Sequence, residues 1–437
     1  MKKITIKDKT MRGVIRACAL LLAALMIMLS LSACSFFNKA DEGSDTEYVT
    51  DGGGTEADIA AEASGSGPAM VGMYGEGAPG EAKDATDGVP AFPGHHPLPD
   101  EGEAFVLTDA EWSDHANWPF FVNLVNSETI SFPSFGLDPR NRVRVTVTDA
   151  SGNPLRGETV ELIAGDGSVI WTAKSGKDGT AYLFSSEGDA PAAIVCGGNR
   201  IDIETASAPD ESGQGTVSAS SSDDYTISVD PAAPAVNGVQ IMFIVDTTGS
   251  MADELMYLQK DFSAIAGEVG DGNVSFSANF YRDEGDEYVT KCNPFTQDVQ
   301  TVKAQLEAEY AEGGGDTPEA VAEILAETMG SAEWRDDCAK IAFLIFDAPP
   351  HDQREESLRS SISEAAEKGI ALIPVVASNA DRETEIFGRA AAILTGGTYV
   401  FLTDDSGIGE SHLEPIVGDY NVELLHDIIV RVINDYR

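Results

Sequence analysis

Three oxygen-bearing side chains follow a short apolar segment in the second half of the chain. Residues 239–245 comprise six large apolar side chains and one polar residue, Gln240. Asp246, Thr248 and Ser250 come directly after them, at positions i, i+2 and i+4. A carboxylate and two hydroxyls on one loop are the hard oxygen ligands that Mg²⁺ prefers. The pattern indicates a divalent-cation site, although Asp, Thr, Gly and Ser are also common turn residues.

The segments around this loop indicate an α/β fold. The apolar, β-branched segment is typical of a strand buried on both faces of a parallel sheet. Residues 253–268 then place Leu255, Leu258, Phe262 and Ile265 at helical spacing. A strand that ends in a polar loop and leads into a helix is where open α/β sheets bind ligands.

The same alternation of strands and helices continues to the end of the chain, so residues 238–437 are predicted to form a mostly parallel, Rossmann-like sheet wrapped by helices. Three further polar residues are candidate ligands for the same site. Asp347 ends an apolar strand at 339–346, and Asp316 and Thr317 follow the glycines 313–315.

These motifs together resemble the metal-ion-dependent adhesion site of von Willebrand factor type A domains. The resemblance covers about residues 237–437 and rests on Asp246-x-Thr248-x-Ser250, on Asp347 with its preceding apolar run, and on the glycine-rich stretch. It implies a divalent cation, with Mg²⁺ favoured over Mn²⁺ and Ca²⁺. It also implies an adhesion or surface-assembly role, in which the partner is an extracellular protein or another surface macromolecule.

The second motif departs from the family, which places a threonine after the glycines. Either Asp316 takes that place or Thr317 does after a one-residue shift, and we favour Asp316 because it directly follows the flexible glycines. Three carboxylates would make the site net negative. One added charge about 4 Å from a partner's carboxylate would disfavour its binding by about 4 kcal/mol at an effective dielectric of 20.

Three other residues are expected near the rim of this site. Asp283 follows a predicted strand and would either orient a ligand or form a surface ion pair with Arg282 or a neighbour. His351 and His412 also follow strands. A hydrolase would need a base such as His351 to activate metal-bound water. Because the sequence supplies no partner that orients this histidine, we expect no enzyme. A metal-assisted hydrolase and a module whose cation serves only stability stay alternatives.

The N-terminal residues 1–34 are predicted to be a lipoprotein signal peptide. Basic residues precede an apolar run at 17–31, and Leu31-Ser-Ala-Cys34 resembles a lipoprotein box. Cys34 would carry the lipid and anchor the exported protein to a bacterial membrane, on its extracellular or periplasmic side. A spanning helix is disfavoured because about 15 apolar residues fall short of the ~20 it needs. Residues 35–103, rich in Gly, Ala, Asp, Glu and Pro, predict a disordered acidic tether.

Residues 104–230 are predicted to form an all-β sandwich. Short alternating segments such as 142–148 and 180–184 are separated by turn residues at the spacing of antiparallel sandwiches. The stretch Val145 to Gly157 resembles immunoglobulin-like or carboxypeptidase-regulatory-like modules, which implies a spacer or binding unit. Residues 231–237, with Pro231 and Pro234, predict a stiff hinge into the second domain.

The overall composition excludes one class of partner. A formal net charge of −45 would repel nucleic acid. Export would permit a disulfide among Cys196, Cys292 and Cys338. A bridge between Cys292 and Cys338 is one alternative, but two strands should separate them, so free cysteines are the default expectation.

Overall fold

A mostly parallel eight-stranded sheet forms the larger part of the described structure. The computed structural model describes residues 107–203, 223–270, 272–315, 317–403 and 412–437. All of them lie within one compact unit, Gly88–Arg437. The predicted signal peptide, Cys34 and the acidic tether therefore lie outside the described residues, as does Asp316.

The strands are β1 (Thr108–Trp112), β2 (Asn141–Thr148), β3 (Thr159–Ala164), β4 (Val169–Lys174), β5 (Thr180–Ser185), β6 (Pro191–Cys196), β7 (Asn199–Asp202), β8 (Asp223–Ser228), β9 (Gly238–Asp246), β10 (Val274–Tyr281), β11 (Thr290–Lys291), β12 (Cys338–Phe346), β13 (Ile370–Val376), β14 (Tyr399–Leu402) and β15 (Val422–Leu424). The helices are α1 (Trp118–Asn126), α2 (Ala252–Val269), α3 (Val299–Glu307), α4 (Val321–Leu325), α5 (Glu355–Lys368), α6 (Arg382–Thr395) and α7 (Leu425–Tyr436). Short 3₁₀ turns cover Gly249–Met251 and Asp352–Arg354, and a π-helical turn covers Ala326–Ser331.

The large sheet has the order β11-β10-β9-β12-β13-β14-β1-β15. Strands β10, β9, β12, β13 and β14 run parallel, and β12 is buried along its whole length, as the apolar run predicted. Helices α2, α3 and α7 pack on one face of the sheet, and α1, α4, α5 and α6 pack on the other. This layering buries both faces of the parallel strands. Among the described residues, no helix is long and apolar enough to cross a bilayer.

The first strand and helix differ from the predicted domain boundary. Residues 104–230 were assigned to the β-sandwich, but β1 pairs antiparallel with β14 and β15 inside the large sheet. In α1, Phe121 and Val125 join the apolar core on the α5 and α6 face. Sequence reasoning missed β1 because Thr-Asp-Ala-Glu-Trp lacks the β-branched alternation that marks a strand. The pairing of β1 with β14 and β15 makes this segment a strand, although its own residues have low strand propensity.

Two smaller sheets follow α1 in the chain. One has the order β5-β2-β8 and the other β4-β3-β6-β7, and their apolar side chains share one core. Within that core lie Val145, Leu162, Leu183 and Ile194, and Ala366 of α5 also contributes. The strands expected from alternation are present, and the resemblance to an immunoglobulin-like or carboxypeptidase-regulatory-like module stays a prediction.

The segment predicted as a hinge is bonded at both of its ends. The carboxylate of Glu158 accepts hydrogen bonds from the backbone amides of Ala232 (2.7 Å) and Ala233 (2.9 Å). At the other end the amide of Asn237 donates to the carbonyl of Asp337 (2.7 Å). The segment is thereby fixed to both the small sheets and the large one.

The three described cysteines are free, but we expected free cysteines to be buried, and Cys292 is not. Cys196 and Cys338 are buried, and Cys292 is exposed and contacts Glu327. Strands β10 and β9 lie between β11, which precedes Cys292, and β12, which begins at Cys338. That separation explains why the Cys292–Cys338 bridge does not form.

A first prediction concerns the role of β1. A fragment of residues 238–437 leaves β14 and β15 without the strand that joins them and removes apolar side chains such as Trp112 and Phe121 from the core. We expect this fragment to lack a cooperative thermal transition, whereas residues 107–437 retain one. Circular dichroism melting of both fragments tests this. A sharp transition for residues 238–437 would show that β1 is dispensable.

A second prediction concerns His115, which connects the two parts of the fold. Its ring stacks on Tyr182 (centroids 3.5 Å apart), Nε2 donates to the carbonyl of Ile393 (2.9 Å), and Nδ1 accepts from Arg142 (2.9 Å). Burial first, and then the charge of Arg142, lowers the pKa of His115 to about 3. The folded protein therefore keeps this ring neutral.

Between pH 6.5 and 3 the unfolded chain binds a proton at His115 that the folded chain does not. Stability is then lost as the pH falls through this window, by about 2 kcal/mol between pH 6.5 and pH 5 from this residue. The variant His115→Phe keeps the stacking and removes the titration. Urea unfolding at pH 7.5 and pH 5 should show a smaller acid-induced loss in the variant, and equal losses would contradict the assignment.

Candidate functional site

Polar side chains from three strands meet at one edge of the large sheet. Strand β9 ends at Asp246, which lies opposite Tyr281 at the end of β10. On the other side, Val245 lies opposite Ile345 of β12, so Asp347 follows β12 at the same level. The carboxyl ends of neighbouring parallel strands share one edge, and this geometry brings Asp246 and Asp347 together.

The carboxylate of Asp246 organises the loop that follows β9. Its Oδ1 accepts hydrogen bonds from the amide (2.8 Å) and the hydroxyl (2.7 Å) of Thr248, whose Oγ1 lies 3.5 Å from Oγ of Ser250. Its Oδ2 is buried and has no hydrogen-bond partner among the described residues. Burial, and then the charge of Asp347, raises the pKa of Asp246 to about 7.

Asp347 and Ser250 lie on the same side of the sheet. Burial raises the pKa of Asp347 to about 6, and a hydrogen bond from the Ser250 side chain opposes that rise. The charge of Glu254, in the first turn of α2, raises the pKa of Asp347 further. Four predicted residues, Asp246, Thr248, Ser250 and Asp347, are therefore brought together.

Glu319 is the functional candidate that sequence reasoning missed. Its side chain is buried, and its Oε2 has no hydrogen-bond partner among the described residues. Burial, and then the charges of Asp246, Asp283, Asp347 and Asp286, raises the pKa of Glu319 to about 9. Helix α4 begins only at Val321, so Glu319 lies in the loop between the glycines and the helix. The available signal was a second carboxylate, three residues after Asp316.

The glycine run folds directly over the first loop. Gly313 (φ +86°) and Gly314 (φ +62°) adopt the left-handed region that other residues avoid. The carbonyl of Gly313 accepts from the amide of Gly249 (3.1 Å). A Cβ added to Gly314 would lie 2.6 Å from Oε1 of Glu319 and 2.7 Å from Cβ of Thr248. The backbone of Gly314 lies so close to both side chains that only glycine fits there. Glu319 therefore lies beside Thr248.

The two residues predicted to supply the second ligand have different outcomes. Asp316 lies outside the described residues. Thr317 is exposed, and within the described part of the chain no hydrogen bond joins it to Asp246, Thr248, Ser250 or Asp347. The choice between Asp316 and Thr317 stays open, and Glu319 is a third candidate.

The expectation that His351 lacks an orienting partner is wrong. Its Nε2 lies 2.8 Å from Oδ1 of Asp283, and both side chains are largely buried. The alternative pairing of Asp283 with Arg282 does not occur: the Arg282 guanidinium packs between the rings of Tyr288 (4.7 Å) and Tyr310 (4.9 Å). The amide of Asp283 donates to Oδ2 of Asp286 (3.1 Å), which also accepts from the amide of Gly314 (2.9 Å), so this turn contacts the glycine run.

His412 lies beyond residues 404–411, in a segment that contacts the start of α6. There Arg382 donates to the carbonyl of Glu414 (3.0 Å), and the amide of Ile416 donates to Glu385 (2.9 Å). The hydroxyl of Thr384, also in the first turn of α6, donates to the backbone carbonyl of Asp347 (3.3 Å). This places the segment on the Asp347 side of the edge.

Negative charge predominates at this edge of the sheet. The buried hydroxyl of Tyr281 has its pKa held well above the usual range by burial and then by Asp246, Asp347 and Glu319. We name the group formed by Asp246, Thr248, Ser250, Glu319 and Asp347 the edge cluster. Within the described residues no set of three His, Cys, Asp or Glu side chains already converges as metal ligands. A cation here would therefore need the hydroxyls as well as the carboxylates.

Comparisons with known proteins bear on the same region. Residues 240–406 match the family described as von Willebrand factor A domain. No curated protein matches the chain.

Several solved structures are similar to parts of the chain. An aerotolerance-related membrane protein from Bacteroides fragilis is 17% identical over 45% of this chain and 100% of its own, with a TM-score of 0.32. BatB from Bacteroides thetaiotaomicron is 16% identical over 46% and 98%, with a TM-score of 0.33. A von Willebrand factor type A protein from Catenulispora acidiphila is 17% identical over 39% and 40%, with a TM-score of 0.32. These values are too low to transfer any property of those proteins.

The family match covers the strands and loops that carry the edge cluster, and the observed sheet is mostly parallel with helices on both faces. Residues 240–406 of this chain form a von Willebrand factor A domain.

Proposed function

We propose that the edge cluster binds a divalent cation and, through it, a macromolecule outside the cell. The observation that carries this proposal is the burial of three carboxyl groups, Asp246, Glu319 and Asp347, whose pKa values are all raised. Asp246 and Glu319 each keep one oxygen without a hydrogen bond from the described residues. Buried carboxylates of this kind are normally paired or coordinate a metal.

The donor set suits a hard cation. Asp246, Glu319 and Asp347 supply carboxylate oxygens, and Thr248 and Ser250 supply hydroxyls, which is the ligand chemistry of Mg²⁺, Mn²⁺ and Ca²⁺. Mg²⁺ is favoured because it keeps several waters and needs few protein ligands. A bound cation would supply positive charge and an open coordination position, while Thr248 orients the carboxylate of Asp246.

The charge of the edge cluster also limits the partner. Three carboxylates exceed the charge of one divalent ion, so a carboxylate from the partner would bind less favourably than a neutral hydroxyl or carbonyl oxygen. At an effective dielectric of 20, one extra unit charge about 4 Å away changes this preference by about 4 kcal/mol before screening. In the sequence, the third carboxylate of this argument was Asp316. In the structure, Glu319 takes that place.

The cellular setting of this proposal rests on the sequence. A signal peptide ending at Cys34 would export the protein and anchor it by a lipid, and the acidic tether would hold the A domain away from the membrane. The small sheets, which share contacts with α5, would present the domain rather than act on the partner. An adhesion or surface-assembly role follows from this arrangement.

A second candidate function is metal-assisted hydrolysis. It is favoured by the contact of His351 with Asp283, since a histidine oriented by a carboxylate is the usual general base. Turnover of a peptide or glycan that disappears in His351→Ala, with cation affinity intact, would support it over adhesion. A site that serves only stability would instead raise the melting temperature with Mg²⁺ and never bind a surface ligand.

A third prediction tests the cation directly. Calorimetric titration with Mg²⁺, Mn²⁺ and Ca²⁺ should show binding to the chain from residue 35. Asp246→Asn and Glu319→Gln should each weaken that binding at least tenfold, because each removes one charged ligand. Glu312→Gln is the matched control, since Glu312 is exposed on the same loop. Unchanged heats in Asp246→Asn would refute the proposed site.

A fourth prediction tests the shape of the glycine loop. A methyl group at Gly314 would collide with Glu319 and Thr248 and would also occupy a strained φ, whereas a methyl group at Gly315 meets nothing within 4 Å. We expect Gly314→Ala to cost about 1–3 kcal/mol of stability and to weaken cation binding, with Gly315→Ala close to the parent in both. Chemical unfolding and the same titrations provide the measurement. Indistinguishable behaviour of the two variants would show that the loop does not shape the site.

A further inference from the structure

A histidine at the start of the closing helix α7 contacts two carboxylates of α2. Strand β15 leads directly into α7, whose first residue, Leu425, donates its amide to the carbonyl of Leu107 (3.0 Å). The next residue is His426. Its Nδ1 lies 2.7 Å from Oδ2 of Asp261, and its Nε2 lies 3.3 Å from Oε1 of Glu268. Each ring nitrogen of His426 therefore faces an acid on the neighbouring helix.

This geometry selects the charged form of the ring. A neutral imidazole has one N–H and one lone pair, so only the imidazolium can donate to both carboxylates. Burial lowers the pKa of His426, but the hydrogen bonds and charges of Asp261 and Glu268 outweigh burial and raise the pKa above its ordinary value. Loss of the proton leaves a lone pair against one carboxylate, which removes one of the two contacts between the helices.

The position of Asp261 is fixed by a second donor. The hydroxyl of Tyr257, one turn earlier in α2, donates to the same Oδ2 (3.0 Å), and Tyr257 is buried. Burial first, then Asp261 and then Asp109 of β1 raise the pKa of Tyr257, so this hydroxyl keeps its proton. The acceptor Asp261 therefore remains oriented whether or not His426 is charged.

Among the described residues, the other elements packed against α7 direct their charged groups elsewhere. These elements are β1, β12 and β15. Glu111 of β1 and Glu423 of β15 both pair with Arg431, further along α7. Lys340 of β12 donates to the carbonyl of Lys368 in α5 (2.7 Å). The charges that act on the His426 ring are consequently those of the two acids on α2.

The opposite end of α7 is held by groups that do not titrate near neutral pH. Arg156, between β2 and β3, donates to the carbonyls of Tyr436 (2.5 Å) and Arg437 (3.2 Å). The guanidinium of Arg437 donates to the carbonyl of Val269 at the end of α2 (2.8 Å), and the hydroxyl of Tyr436 donates to the carbonyl of Gly396 (2.9 Å). Arginine stays charged throughout this range. A change of pH therefore acts on the first turn of α7 and not on its last.

We propose that His426 is a pH-sensitive switch, which holds the first turn of α7 on α2 while its ring is charged and loosens that turn when the proton is lost. Below pH 6.5 the folded and the unfolded chain both carry the proton, and the contact is complete. The stabilising contribution is lost as the pH rises above 6.5 through the pKa of folded His426. The loosened turn uncovers Leu425, Ile428 and Ile429, which are buried in the core on the α2 face. The switch contains no residue of the edge cluster, so it does not rest on the proposed function.

The test is hydrogen exchange in α7. Exchange of the amides of residues 429–432 is measured in the full-length, metal-free chain at pH 6 and pH 9, and is corrected for the intrinsic rate at each pH. The edge cluster also titrates in this range, so the parent is compared with His426→Gln, whose side chain is neutral at both pH values. We expect protection to fall between pH 6 and pH 9 by a factor about fivefold larger in the parent than in the variant, the effect of one hydrogen bond.

A second measurement follows the proton itself. The pKa of His426 from an NMR titration should lie above 6.5 in the parent and should fall in Glu268→Gln. The matched control is Glu367→Gln, an exposed glutamate near the end of α5, which should leave the pKa of His426 unchanged.

The outcomes decide the inference in either case. Equal protection ratios in the parent and in His426→Gln would overturn the switch, and so would a pKa of His426 at or below 6.5. If His426→Gln fails to fold, the protection ratio is taken from Glu268→Gln. A smaller ratio than in the parent supports the switch there, and an unchanged ratio overturns it.

Discussion

The constraint on which this structure depends is the burial of negative charge at one edge of a sheet. Parallel strands end together, so Asp246, Asp347 and the neighbouring Asp283 are carried to the same place by backbone pairing alone. Each buried carboxylate loses its hydration and repels the next one. Burial is the first cause of the raised pKa values of Asp246, Asp347 and Glu319, and the charges of nearby carboxylates add to it: Asp347 acts on Asp246, Glu254 acts on Asp347, and Asp246 and its neighbours act on Glu319. The fold tolerates this arrangement because the sheet and its helices form a large apolar core on both sides.

The loops determine how this charge is presented. Thr248 gives two hydrogen bonds to one oxygen of Asp246 and leaves the other free, so the carboxylate is oriented without being neutralised. The glycine run then closes over Thr248 and places Glu319 beside it. Asp283 does not join the edge cluster. Its carboxylate lies 2.8 Å from Nε2 of His351, and its amide donates to the carboxylate of Asp286. The edge cluster and the His351 contact are neighbours with distinct chemistry.

Much of this could be predicted from the sequence, and the failures have specific causes. Strands β9, β12 and β13 are nearly continuous apolar runs, and their short length and β-branched or aromatic composition identify them as buried strands. Asp246, Thr248, Ser250 and Asp347 were accessible because they directly follow such strands. Glu319 was not accessible in this way. Its amide donates to the carbonyl of Pro349 (3.0 Å), and no local pattern encodes this long-range contact. The pairing of His351 with Asp283 spans 68 positions of the chain and is equally nonlocal.

Strand β1 shows the same limit at the level of domains. A domain boundary drawn from composition separates residues 104–230 from the α/β part, yet hydrogen bonds place β1 between β14 and β15. This placement carries Asp109 into the interior, where its charge acts with that of Glu254, and Glu254 in turn raises the pKa of Asp347. Asp109 and Asp347 are therefore both coupled electrostatically to one side chain of α2, Glu254. The strand that local propensity fails to identify is thus the one that connects the edge cluster to the closing helix.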